Sequence, residues 1–150
     1  MTPLRPVVLS SAFGPSSDPM SSSEALNLSV PGSQSSPSIR ADWKAGVVVM
    51  SGESYPENSF ELYDQLIQWI ESYLSTADQS LTLELHLNYL NTSSIRFMID
   101  IFDLLQSAFD EGKEVLVQWM FDDRNPRSAE LGSEFKEDYT FPFLILSINA

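Results

Sequence analysis

Cysteine is absent from the 150 residues, and disulfides, thiolate-bound zinc and thiol nucleophiles go with it. Histidine occurs once, as His86, and the six glycines are mostly isolated. No G-x-S-x-G elbow, phosphate-cradling glycine loop or H-E-x-x-H helix can be assembled from such material. Basic residues are scarce as well. Eight Lys and Arg stand against 21 Asp and Glu, a formal charge of −13. That balance argues against nucleic acid, where Lys and Arg neutralise phosphates, and against anionic membrane surfaces. No apolar run approaches the roughly 18 residues of a membrane-spanning helix. The N-terminal patch Val7-Val8-Leu9 is broken by prolines and serines, unlike the continuous apolar region of a signal peptide. These absences describe a cytoplasmic chain without cofactor or metal chemistry.

What is present begins with a Ser- and Pro-rich segment, residues 1–36, too poor in large apolar residues to offset its own ordering entropy. It reads as a disordered extension, with Met1 or Met20 as the start and Leu26-Asn27-Leu28-Ser29-Val30 as a weak edge strand or docking peptide. Residues 37–150 read as one globular domain. Ile39–Trp43 and Val47–Ser51 predict a hairpin. Pro56 and Asn58 open a helix running to about Ser75, striped by Tyr63, Leu66, Ile67, Ile70, Tyr73 and Leu74. Trp69 falls off that stripe, a candidate for a partner surface although most of the aromatic set reads as core.

Leu81, Leu83, Leu85 and Leu87 alternate with Thr82, Glu84, His86 and Asn88, the period of a strand with unlike faces. Ile95, Met98, Ile99, Phe102, Leu105 and Phe109 then recur at helical spacing, and Gly112 marks the helix end. Phe97, Ile101, Leu104 and Ala108 extend the apolar surface beyond that stripe, so this helix is deeply buried or partly reserved for a partner. Val115–Phe121 predicts a strand, residues 125–137 a third helix, and Phe141–Ile148 a last strand. The order β-β-α-β-α-β-α-β predicts an α/β (α+β layer) domain: a mixed sheet of about five strands with three helices on one face.

Between the alternating strand and the second helix stands Asn91-Thr92-Ser93-Ser94. Such residues cap a helix, because a side-chain oxygen accepts from an orphan backbone N–H. The same N-terminus also favours an anion, so a phosphate added here would be held by free N–H groups and by Arg96. It would equally obstruct a partner docking on the second helix. Spacing alone leaves the plain cap and the phosphorylation switch both open. The remaining candidates have bland readings: His86 as a strand residue facing solvent, and the pairs Asp100/Asp103 and Asp122/Asp123 as solvated acids rather than Mg²⁺ ligands.

Three separated motifs, Tyr55-Pro56-Glu57-Asn58-Ser59, Tyr89-Leu90-Asn91-Thr92-Ser93-Ser94 and Glu134-Phe135-Lys136-Glu137-Asp138 with Phe141-Pro142-Phe143, resemble the SiaC family of bacterial regulatory phosphoproteins. The arrangement also resembles the anti-sigma-factor-antagonist (STAS) architecture. The SiaC resemblance implies a non-enzymatic switch, phosphorylated by a serine/threonine kinase, reset by a PP2C-type phosphatase, and binding a GGDEF diguanylate cyclase when unphosphorylated. It maps the phosphoacceptor onto Thr92. Asn91, Ser93, Ser94, Arg96 and Phe97 are the expected partner contacts around it. The alternatives are a partner switch acting on a sigma regulator and a small hydrolase using acids such as Asp103 with His86.

Overall fold

A computed structural model describes residues 26–148. Six strands form one sheet in strictly sequential order: β1 (Leu28–Val30), β2 (Ser38–Asp42), β3 (Val47–Ser54), β4 (Leu81–Leu90), β5 (Val115–Phe121) and β6 (Phe143–Ser147). The first two junctions are antiparallel and the last three parallel. Each parallel junction needs a crossover, supplied by α1 (Ser59–Thr76), α2 (Thr92–Asp110) and α3 (Pro126–Glu137). Crossovers of one hand between neighbouring strands place every helix on the same face.

Strand pairing aligns the buried side chains in rows. Val48 stands beside Leu83, Leu83 beside Val117 and Val117 beside Phe143, all buried under the helices. The adjacent row, Arg40, Val49, Glu84, Gln118 and Leu144, lies on the uncovered face and keeps partial exposure, as the alternation predicts. The core is continuous from Ile39 to Phe143 and holds Trp119 and Phe102 at its centre.

Several expectations are revised. The sheet has six strands rather than about five, because Leu28–Val30 pairs with β2. The folded unit therefore begins inside the segment 1–36 assigned to the extension; residues 1–25 lie outside the described part. Trp69 is not a surface residue: it is 8% exposed, its ring stacks on Tyr73, and its Nε1 donates to the carbonyl of Leu26 at 2.7 Å. Local spacing cannot announce a partner that arrives from 43 residues upstream. Strand β4 also runs two residues past the expected Asn88, through a register shift.

That shift positions everything that follows. Pairing passes from Gly52 beside Leu87 to Glu53 beside Tyr89, skipping Asn88. Gly52 adopts φ +121°, a conformation that side chains avoid. The bulge inverts the alternation, so Tyr89 points outward and Leu90 inward, and it brings Ser54 level with the end of β4. The backbone N–H of Asn91 then donates to the Ser54 carbonyl at 2.9 Å.

Candidate functional site

Asn91 caps α2. Its backbone is extended (φ −79°, ψ 175°), and its Oδ1 accepts from the Ser94 N–H at 2.9 Å. The Asn91 carbonyl takes the first helical bond, from Ile95 N–H. The capping group is therefore the asparagine, not one of the hydroxyls. Helix α2 starts at Thr92 itself, so the three hydroxyls lie inside its first turn rather than ahead of it.

The three hydroxyls that follow are not equivalent. Ser94 is fully buried; its Oγ donates to the Ser54 carbonyl at 3.0 Å and lies 2.8 Å from Ser54 Oγ. Ser54 Oγ is in turn 2.7 Å from the Tyr63 hydroxyl. One proton order satisfies the set: Tyr63 donates to Ser54 Oγ, Ser54 to Ser94 Oγ, and Ser94 to the Ser54 carbonyl. Burial pushes the Tyr63 phenol above its ordinary pKa, against the opposing pull of its Ser54 and Ser94 hydrogen bonds. The network ties the end of β3 to α1 and to the first turn of α2. Ser94, expected among the partner contacts, is thus sealed inside and seats the helix instead.

Ser93 is exposed but engaged. Its Oγ donates to Asn91 Oδ1 at 3.2 Å, which leaves Ser59 Oγ, 2.7 Å away, as the donor into it. Thr92 is exposed, and among the described residues nothing hydrogen-bonds its hydroxyl. Arg96, four residues on and on the same face of the helix, is exposed and makes no ion pair among the described residues. A hydroxyl at the first residue of a helix, beside free N–H groups and one turn from a guanidinium, is a good seat for a phosphate.

Exposed and half-exposed rings stand near the starts of α1 and α2. Tyr55 and Tyr89 meet edge-on with centroids 5.9 Å apart. Phe60, 65% exposed, lies 6.4 Å from Phe97, which stacks on Tyr63. Five of the six expected positions (Asn91, Thr92, Ser93, Arg96 and Phe97) therefore remain at least partly accessible around the start of α2. Sequence reasoning missed Ser54, Ser59 and Tyr63, which converge from other elements. Only the Asn58-Ser59 helix start carried a local signal.

The other candidates are occupied elsewhere. His86 Nε2 lies 2.7 Å from Glu84 Oε2 on the uncovered sheet face. Asp103 accepts from the Tyr139 hydroxyl at 2.9 Å; burial, then Asp103, raises the pKa of that phenol. Arg124 grips Asp122 and holds its carboxyl at about 2. Among the described residues no group of three His, Asp or Glu is placed to hold a metal ion.

The model of the SiaC family of regulatory phosphoproteins matches residues 30–148. An uncharacterised protein of Pseudomonas aeruginosa strain UCBPP-PA14 is 52% identical over 119 residues, which is 79% of this chain and 94% of that one. Among solved structures, the activator SiaC of P. aeruginosa in complex with the diguanylate cyclase SiaD superposes with a TM-score of 0.78. It is 52% identical and covers 80% of this chain and 98% of that one. Apo-SiaC of the same species gives a TM-score of 0.77 at 51% identity, with the same coverage.

Proposed function

Because the chain belongs to the SiaC family of regulatory phosphoproteins, we propose that it is a switch protein phosphorylated on Thr92, whose unphosphorylated form binds and activates a diguanylate cyclase. The observation that carries the residue assignment is the inequality of the three adjacent hydroxyls. Ser94 is buried, Ser93 is held between Asn91 and Ser59, and Thr92 alone faces solvent without a hydrogen-bond partner among the described residues.

The physical consequence follows from charge and position. A phosphate on Thr92 adds nearly two negative charges and three acceptor oxygens at the head of α2. The N–H groups of the first turn and Arg96 hold it there. It then stands beside Phe97, Phe60 and the Tyr55–Tyr89 pair, the apolar rim on which a partner would seat. A partner packed on that rim must desolvate the phosphate or leave. Phosphorylation thus switches binding off without refolding the domain.

On this reading the chain performs no catalysis. It is the substrate of a serine/threonine kinase and of a PP2C-type phosphatase, works in the cytoplasm, and raises cyclic-di-GMP through its cyclase to promote aggregation and biofilm formation. Asn91, Ser93, Arg96 and Phe97 form the contact zone around the switch. A pull-down with the diguanylate cyclase tests this: unphosphorylated chain should retain the cyclase and Thr92-phosphorylated chain should lose it. Equal retention of the cyclase by both forms would refute the occlusion mechanism.

A further inference from the structure

Resting on the assignment of Thr92, we propose that Ser59, at the first residue of α1, is the specificity-determining residue that confines phosphoryl transfer to Thr92 by masking Ser93. Exposure alone does not separate the two hydroxyls: they are consecutive, both are exposed, and both lie in the first turn of α2. A kinase that reaches one lies within a few ångströms of the other. What separates them is hydrogen bonding.

Helices α1 and α2 start side by side, each behind an asparagine cap: Asn58 Oδ1 accepts from Glu61 N–H, and Asn91 Oδ1 from Ser94 N–H. This pairing brings Ser59 Oγ within 2.7 Å of Ser93 Oγ. Ser93 commits its one proton to Asn91 Oδ1, so Ser59 must donate into a Ser93 lone pair. Ser59 is itself 7% exposed and held in place by the packing of α1.

The chemistry of transfer gives this bonding its effect. The acceptor oxygen attacks the γ-phosphorus of ATP with a lone pair. An O–P bond forms, the bond from that phosphorus to the β,γ-bridging oxygen breaks, ADP leaves, and the hydroxyl proton passes to a base of the kinase. Ser93 has one of its two lone pairs occupied by Ser59 and its proton held by Asn91, so transfer must use the remaining lone pair and draw the proton away from Asn91. Thr92 bears neither constraint. Ser94 needs no such guard, because burial already excludes it.

The test uses full-length chain recovered from its own cells, read by intact mass and phosphopeptide mapping. Wild type should carry one phosphate, on Thr92, and Thr92→Ala none. The double variant Thr92→Ala/Ser59→Ala should regain one phosphate, on Ser93. In Ser59→Ala alone, a Ser93 phosphopeptide absent from wild type should appear beside the Thr92 one. Should an alanine at this position impair folding, Ser59→Cys offers a side chain of similar size with a much weaker donor and the same expected direction. A double variant that stays unphosphorylated while wild type carries phosphate on Thr92 would overturn the role of Ser59. So would Ser93 phosphate on Thr92→Ala with Ser59 intact. Wild type without phosphate on Thr92 would instead overturn the reading on which this inference rests.

Discussion

Helices α2 and α3 begin with nearly the same equipment and use it differently. Each follows an asparagine, Asn91 or Asn125, and each carries a serine at its third residue that is buried: Ser94 at 0% exposure and Ser128 at 5%. Both serines fasten the helix to the sheet. Ser94 bonds to Ser54 at the end of β3, while Ser128 Oγ donates to the Leu87 carbonyl at 3.0 Å and accepts from Trp119 Nε1 at 3.2 Å. The difference lies one step earlier. Helix α3 opens with Pro126, which has no hydroxyl and no N–H to offer; α2 opens with Thr92, which has both. One start is purely structural, and the other leaves a modifiable group on a rigid platform.

The comparison sharpens first at the buried serines. Ser94→Ala removes an acceptor from Ser54 Oγ and a donor from the Ser54 carbonyl inside the core, and should cost about 1–3 kcal/mol. Ser128→Ala should cost less, about 1 kcal/mol, because Trp119 Nε1 keeps the Ser128 carbonyl at 2.9 Å. Denaturant unfolding measures both, and a reversed order would contradict the bonding described here.

The caps should separate next. Asn91 makes a side-chain capping bond and Asn125 does not; the latter donates to the Asn88 carbonyl at the surface instead. Asn91→Ala should therefore lose about 1 kcal/mol, and Asn125→Ala only a few tenths, in the same unfolding measurement. Equal losses would mean that the two helix starts are not distinguished by their caps.

Giving α2 the opening of α3 should likewise leave stability almost unchanged. Proline is tolerated at a first helical position, and the extended backbone of Asn91 suits a residue preceding proline. Thr92→Pro should therefore stay within about 0.5 kcal/mol of wild type in thermal or denaturant unfolding. It should nevertheless never take up phosphate. A variant that folds normally and cannot be switched would separate the platform from its signal.

Much of this architecture is legible in the amino-acid sequence. The strand of alternating leucines, the capped start of α2, the helices and the sequential crossover order all follow from local periodicity and punctuation. What cannot be read there joins distant segments. Ser54 meets Ser94 across 40 residues, and Ser59 meets Ser93 across 34. The first contact depends on the bulge opposite Gly52, which brings Ser54 level with the end of β4, and no composition or period marks it. The edge strand Leu28–Val30 is a weak signal for a similar reason: three residues carry no period of their own and gain their structure only by pairing with Ile39–Ala41. The three hydroxyls thus look alike in sequence, and tertiary contacts alone distinguish them.

The central claim is that one of those hydroxyls, Thr92, is the switch. Phosphopeptide mapping of the chain from its own cells, wild type beside Thr92→Ala, tests it most directly. A single phosphate on Thr92 in the wild type and none in the variant is the predicted result. Phosphate on Thr92→Ala at the wild-type level would contradict it.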